Sequence, residues 1–354
     1  MDALARAPMG ERAALFEETA ARRNVTGPII EKDFWVCWTL RRLFALQDPA
    51  VGFIFKGGTS LSKAYGLIGR FSEDVDLSLD RHDLGFVEDR DPAAEDISGK
   101  RRKALLKELE EATAGYVGGP LLERLRATFV DNLGNDGFGL DVDDRDPQTL
   151  LFRFPAGLPA ASYGGYGLAY GMNYGGSYLR PSVKLEFGSR SDHLPAEDRV
   201  IVPYAAETFP EVVSDAETTV RVLAAERTFW EKATILHQPA HRPPGKALSD
   251  WTSRHYADLA ALARSDLRTR ALARPDLLAA VAEHKSRLFR DPKARYAEAR
   301  PGTLVLTPPA PLRRLLASDY RAMREMFFEE PIAFEAMMDE LAALEAEINA
   351  PTAR

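Results

Sequence analysis

The chain has 354 residues, 45% of them hydrophobic, a formal net charge of −7 and a single cysteine. That length and apolar content suffice for two domains, or one domain with a large helical extension, while a lone Cys37 excludes an internal disulfide and a cysteine-cluster metal site. No run approaches membrane-spanning length and the amino terminus, MDALARAPMGERAALFEETAARR, has no apolar signal core, so no membrane association and a cytoplasmic location are expected.

Residues 1–48 read as helices, with Cys37 packed among Phe34, Trp35, Val36 and Trp38. Val51, Phe53, Ile54 and Phe55 then read as a buried strand ending at Gly57-Gly58, where the backbone can turn sharply. A helix is expected to follow, capped by Thr59 or Ser60, with Leu61, Tyr65 and Ile68 on one face and Gly69 at its end. Amides left open at such a start form an anion site suited to a nucleoside triphosphate. Past Arg70 the pattern becomes period two: Val75, Leu77 and Leu79 take one face, Asp74, Asp76 and Ser78 the other. Two carboxylates this close repel each other, and a hard divalent ion such as magnesium or manganese relieves that repulsion while binding phosphate oxygens. GGTSLSK does not have the spacing of a P-loop.

Residues 98–128 read as a helical hairpin broken by Gly115 and Gly118-Gly119-Pro120, and 129–190 as β hairpins. Within the latter, LDVDD repeats the acidic alternation at Asp141 and Asp143 without a phosphate-holding helix, which reads as a solvated strand. Tyr163, Tyr166, Tyr170, Tyr174 and Tyr178 either stack nucleic-acid bases or belong to a glycine-rich loop. SVKLEFG places Lys184 and Glu186 on one face of a strand. From about 216 the pattern is helical, with Phe229, Ala233 and Leu236 buried and Arg227 and Lys232 on another face. His237 and His241 have zinc-helix spacing, but Pro239 should break the helix between them, which argues against zinc. Residues 264–324 carry 14 Lys and Arg against 6 Asp and Glu, a surface for RNA phosphates or simply a solvated one.

KGGTSLSKAYGLIGRFSEDVDL resembles the first motif of the AbiEii/AbiGii toxin nucleotidyltransferases, including the MenT-type toxins, within the DNA polymerase β-like superfamily. IIEKDFWVCWTLRRL (29–43) resembles that family's leading helix, ERTFWEKATILH (226–237) its lysine-bearing helix and SRHYADLAAL (253–262) its aspartate-bearing helix. The resemblance implies an α+β fold: a polymerase β-like core of mixed sheet flanked by helices over 1–215, and a mainly helical domain over 216–354.

It also implies a metal-dependent nucleotidyltransferase toxin that uses a nucleoside triphosphate and releases pyrophosphate. Asp74, Asp76 and Glu186 would hold the metal, although Glu186 and Lys184 could instead form a surface pair. The amides after Gly57 and Gly58, with Ser60, would hold phosphates, and Lys184 and Arg254 would add contacts. Lys232 would grip the triphosphate and Asp258 would match the family's carboxy-terminal acid, or the two would form an interhelical salt bridge. Ser72, two residues before Asp74, would contact the nucleotide or only the local turn; a phosphate added there would compete with the substrate. The implied acceptor is the 3′ end of tRNA, with growth arrest as the effect, a cognate antitoxin as partner and a place in toxin–antitoxin or phage-defence biology. Transfer to a protein or small molecule, or a non-catalytic nucleotide sensor, are the alternatives.

Overall fold

The structure, a computed structural model, describes residues 1–46, 50–72, 74–164, 180–241 and 249–351. Tyr166, Tyr170, Tyr174 and Tyr178 lie outside the described residues. The chain forms two compact units. One comprises Met1–Ala64, Phe71–Val87 and Lys107–Val222; the other comprises Tyr65–Arg70, Glu88–Leu106 and Leu223–Arg354. No described helix is long and apolar enough to cross a membrane.

The first unit is built on a mixed sheet of seven strands: β1 (Phe53–Lys56), β2 (Asp74–Leu79), β3 (Gly139–Val142), β4 (Thr149–Arg153), β5 (Ser182–Gly188), β6 (Ala196–Ile201) and β7 (Thr218–Leu223). Their order is β3-β4-β5-β2-β1-β7-β6. β2 runs antiparallel to β1 and parallel to β5, so the acidic strand is central. Val75, Leu77, Leu185 and Phe187 send their side chains into the core, as period two requires. The helix Gly27–Phe44 is buried along nearly all its length. Trp35 stacks on Phe154 with centroids 5.5 Å apart, and Trp38 meets Phe129 edge-on at 4.9 Å.

Several sequence expectations are corrected. The helix after β1 spans only Gly57–Lys63, starting at the first glycine with no side-chain cap and stopping well before Gly69. The helices Gly99–Tyr116 and Leu122–Leu133 are separated, as expected, by a kink in the π-type turn Val117–Leu121, where Gly119 has non-helical φ −112° and ψ −105°; Gly115 does not break the chain and lies inside the first helix. Of the region read as hairpins, 129–133 is still helix, and β3 with β4 forms the antiparallel hairpin.

The second unit is mainly helical, with Ala225–Ala240, Ser253–Ala263, Pro275–Leu288, Ala310–Ala322 and Phe334–Asn349 as its longer helices. Pro239 lies inside the first of these, because a proline in the last turn forfeits a single hydrogen bond. The basic stretch is met by acids from the same unit. Arg268 pairs with Glu340 and Glu347, Arg313 with Glu335, Arg324 with Glu330 and Arg287 with Glu95 and Glu283. Much of its sequence-level charge excess is therefore balanced locally.

Candidate active site

The acidic face of the first unit follows from strand register. Asp74 lies opposite Lys184 and Asp76 opposite Glu186 on β5, while Lys56 on β1 faces Asp76 from the other side. Residues paired across a sheet share a face. One row across the sheet therefore reads Lys56, Asp76, Glu186 and Thr149; the next reads Asp74, Lys184 and Leu151.

Gly57 fits into this face. Its φ of +79° is left-handed, and a Cβ added there would collide with the carboxylate of Asp76. Bare backbone at the turn thus gives the second acid of the motif its place. Thr59 does not cap the helix. Its hydroxyl donates to the carbonyls of Ser72 and Asp74, tying the helix to the start of β2. Ser60 is fully buried and donates to the Gly57 carbonyl at 2.9 Å, so its hydroxyl ties the turn. β2 begins at Asp74, so strand alternation does not extend to Ser72, which is half-buried. At the far end of the helix, Lys63 forms a buried ion pair with Asp33 at 2.8 Å and lies over the Tyr204 ring.

Lys184 forms an ion pair with Glu186. Burial works against its charge, but the hydrogen bond and charge of Glu186, with the charges of Asp74 and Asp143, hold its pKa above the ordinary lysine value. Asp143 is therefore more than the solvated repeat that its sequence suggested. Its carboxylate accepts the amide of Arg145 at 2.7 Å and acts electrostatically on Lys184. Asp141 is held by Arg126 and Arg153.

Asp74, Asp76 and Glu186 offer hard oxygen donors on adjacent strands, and two of them, Glu186 by contact and Asp74 by charge, act on the cation Lys184. That donor chemistry fits a divalent ion such as magnesium or manganese. Among the described residues no three such groups are gathered on one point, and Glu186 is paired with Lys184.

In the second unit Asp258 is a hub. Arg70 donates to both its oxygens, Nε to Oδ1 at 2.7 Å and Nη2 to Oδ2 at 2.9 Å, and Lys232 donates to Oδ2 at 2.8 Å. All three are buried: Asp258 is 1%, Arg70 3% and Lys232 6% exposed. Burial alone would raise the Asp258 pKa, but Arg70 and Lys232 hold its carboxyl well below the usual range. Lys232 also donates to Nδ1 of His255 at 3.1 Å, and burial together with the lysine charge keeps that imidazole neutral. The Lys232 pKa is itself lowered, by burial and then by the neighbouring Arg70 and Arg254, against the pull of Asp258. The interhelical pair foreseen between Lys232 and Asp258 is thus present. Arg70, which sequence reasoning passed over, is its strongest member. The available signal was a lone arginine between Gly69 and Phe71 in an otherwise apolar approach to the acidic strand. Arg254 is half-buried on the helix of Asp258.

The sequence profile described as nucleotidyl transferase AbiEii toxin, type IV toxin–antitoxin system, matches residues 38–340. No curated protein matches the sequence. Among solved structures, MenT4, a nucleotidyltransferase toxin from Mycobacterium tuberculosis H37Rv, is similar at 17% identity and a TM-score of 0.36, over 94% of this chain and 98% of that one.

Proposed function

This chain belongs to the AbiEii family of nucleotidyltransferase toxins of type IV toxin–antitoxin systems, and from that premise we propose that it transfers a nucleoside monophosphate from a nucleoside triphosphate to the 3′ end of tRNA. The observation that carries the reading is the fit of Asp76 over the bare Cα of Gly57, on the face that also bears Asp74 and Glu186. An acceptor hydroxyl oxygen bonds to the α-phosphorus, the bond to the β-phosphate oxygen breaks, and pyrophosphate leaves. Asp74, Asp76 and Glu186 would hold magnesium or manganese, which when bound polarises the phosphoryl oxygens and lowers the pKa of the hydroxyl.

The chain's own residues divide the remaining work. Glu186 would accept the hydroxyl proton, and amides at the Gly57-Gly58 turn would donate to phosphate oxygens. Lys184 and Ser72 serve as further nucleotide contacts. Asp258, with Lys232 and Arg70, fixes the segment 65–70 that leads into the acidic strand. Modified tRNA would no longer be charged with amino acid, so translation and growth would stop in the cytoplasm until a cognate antitoxin intervened, in phage defence or another stress.

Purified protein incubated with each labelled nucleoside triphosphate, magnesium or manganese and total tRNA tests this. Label should enter RNase-sensitive material with one pyrophosphate released per nucleotide, and Asp74→Asn or Asp76→Asn should reduce this by at least about a hundredfold, as removal of a metal ligand does. Label in protein would overturn the acceptor. Pyrophosphate release equal to that of Asp74→Asn would overturn the transferase.

A further inference from the structure

Lys184 is the one ion-paired cation on the strand that carries the proposed third metal ligand, and three carboxylates act on it: Glu186 by direct contact, Asp74 and Asp143 through their charges. Its side chain is 39% exposed and that of Glu186 36%, so the pair is open to exchange with ions from solvent. Its register partner across the sheet is Asp74, two residues from Asp76 on the same face. A cation in this setting has a definite physical task. Without it, Glu186 would lose its direct cation while facing Asp76 across the adjacent strand, and like charges directly opposite are destabilising.

We propose that Lys184 is a resident counter-cation of the acidic face, which balances its carboxylates in the absence of metal and must release Glu186 when a divalent ion binds. The inference rests on the metal-binding role proposed for Asp74, Asp76 and Glu186. It assigns Lys184 a positioning role: the ammonium sets the affinity and order of metal binding by competing for Glu186. Once released, its flexible stem leaves the charge on a face that receives an anionic substrate. A residue that only contacted phosphate would leave metal binding without substrate unchanged. A residue that only formed a surface pair would leave metal affinity and its salt dependence unchanged.

Manganese binding to the substrate-free protein, followed by electron paramagnetic resonance and calorimetry, separates these cases. Lys184→Met removes the competing charge and should tighten manganese binding about two- to fivefold at low salt, the range expected when one exposed ion pair no longer has to break. The gain should shrink as ionic strength rises. The same variant should melt at a lower temperature than wild type without metal and recover more on adding manganese, since ligand binding stabilises the folded state. Lys184→Arg keeps the charge and should bind manganese within about twofold of wild type.

Manganese affinity in Lys184→Met equal to or weaker than wild type, with binding still abolished by Asp74→Asn, would overturn the counter-cation role and leave the metal site standing. Wild-type protein that binds no manganese in an Asp74-dependent way would overturn both.

Discussion

At the scale of single residues, the position that leaves least freedom is Gly57. Its positive φ costs a residue with a Cβ about 1–2 kcal/mol, and the added methyl would also displace the Asp76 carboxylate. Gly57→Ala should therefore lower stability by about 1–3 kcal/mol yet reduce nucleotide transfer by far more than that loss of folded protein explains. Thermal melts beside initial rates at a temperature where both proteins are folded would show it; an active Gly57→Ala enzyme would mean that Asp76 tolerates displacement. Alternation along β2 and β5 made the shared face of Asp74, Asp76, Lys184 and Glu186 legible in the sequence, because period two fixes facing without any knowledge of neighbours. Hydroxyl direction was not legible. Ser60 and Thr59 are both plausible caps by type, but Ser60 bonds back to the carbonyl three residues earlier and Thr59 reaches across to the start of β2. Arg70 was opaque for a related reason: its partner is 188 residues away in the chain.

At the scale of elements, the helical reading from about 216 runs over what is the strand β7 (Thr218–Leu223), periodicity marks the buried face of Phe229, Ala233 and Leu236, and 253–262 is visible only through the family resemblance. The hold of the helices Ala225–Ala240 and Ser253–Ala263 on the segment 65–70 depends on contacts that periodicity does not encode. The hub at Asp258 joins the three. Its removal leaves two buried cations facing each other, so Asp258→Ala should cost about 3–5 kcal/mol, the usual result of breaking a buried pair from one side. Lys232→Met should cost less, about 1–3 kcal/mol, because the two-pronged bond from Arg70 remains and an ammonium no longer has to be buried. Urea unfolding of the two variants gives the order. Rates read below their unfolding midpoints decide what Lys232 does: activity restored wherever Lys232→Met is folded would make it a structural residue, and activity lost there would make it part of the chemistry. The break read from Pro239 shows the opposite limit of sequence reading: the kink expected at Gly118-Gly119-Pro120 is present at Gly119, whereas the last turn of the helix Ala225–Ala240 tolerates Pro239.

At the scale of the whole molecule, the histidines set a pH response. His193, His237, His241 and His255 all have pKa values below the ordinary imidazole value, in each case first because of burial, with His241 adding to the effect at His237, Arg295 at His241 and Lys232 at His255. His237 shows why such a ring stays neutral: its Nδ1 accepts the amide of Val305 at 3.0 Å while Nε2 meets the Arg295 carbonyl at 3.3 Å, an arrangement that needs one protonated and one bare nitrogen. Since these groups bind protons more weakly in the folded state than in the unfolded one, unfolding takes up protons as soon as pH falls below about 6.5, and stability must fall with it. Each ring that titrates only on unfolding adds at most about 1.4 kcal/mol per pH unit. The Asp258 carboxyl, depressed instead by its two cations, adds stability that is present above about pH 4 and is lost only as pH falls further. Acid loss should thus come in two stages, histidines first and the buried hub later. Three of the four histidines lie in the mainly helical unit, so hydrogen exchange at pH 5.5 should show protection falling earliest in Leu223–Arg354. His255→Gln should flatten the first stage without moving the second. A urea midpoint that holds constant or rises from pH 7.5 down to 5.5 would contradict the lowered pKa values of these four rings.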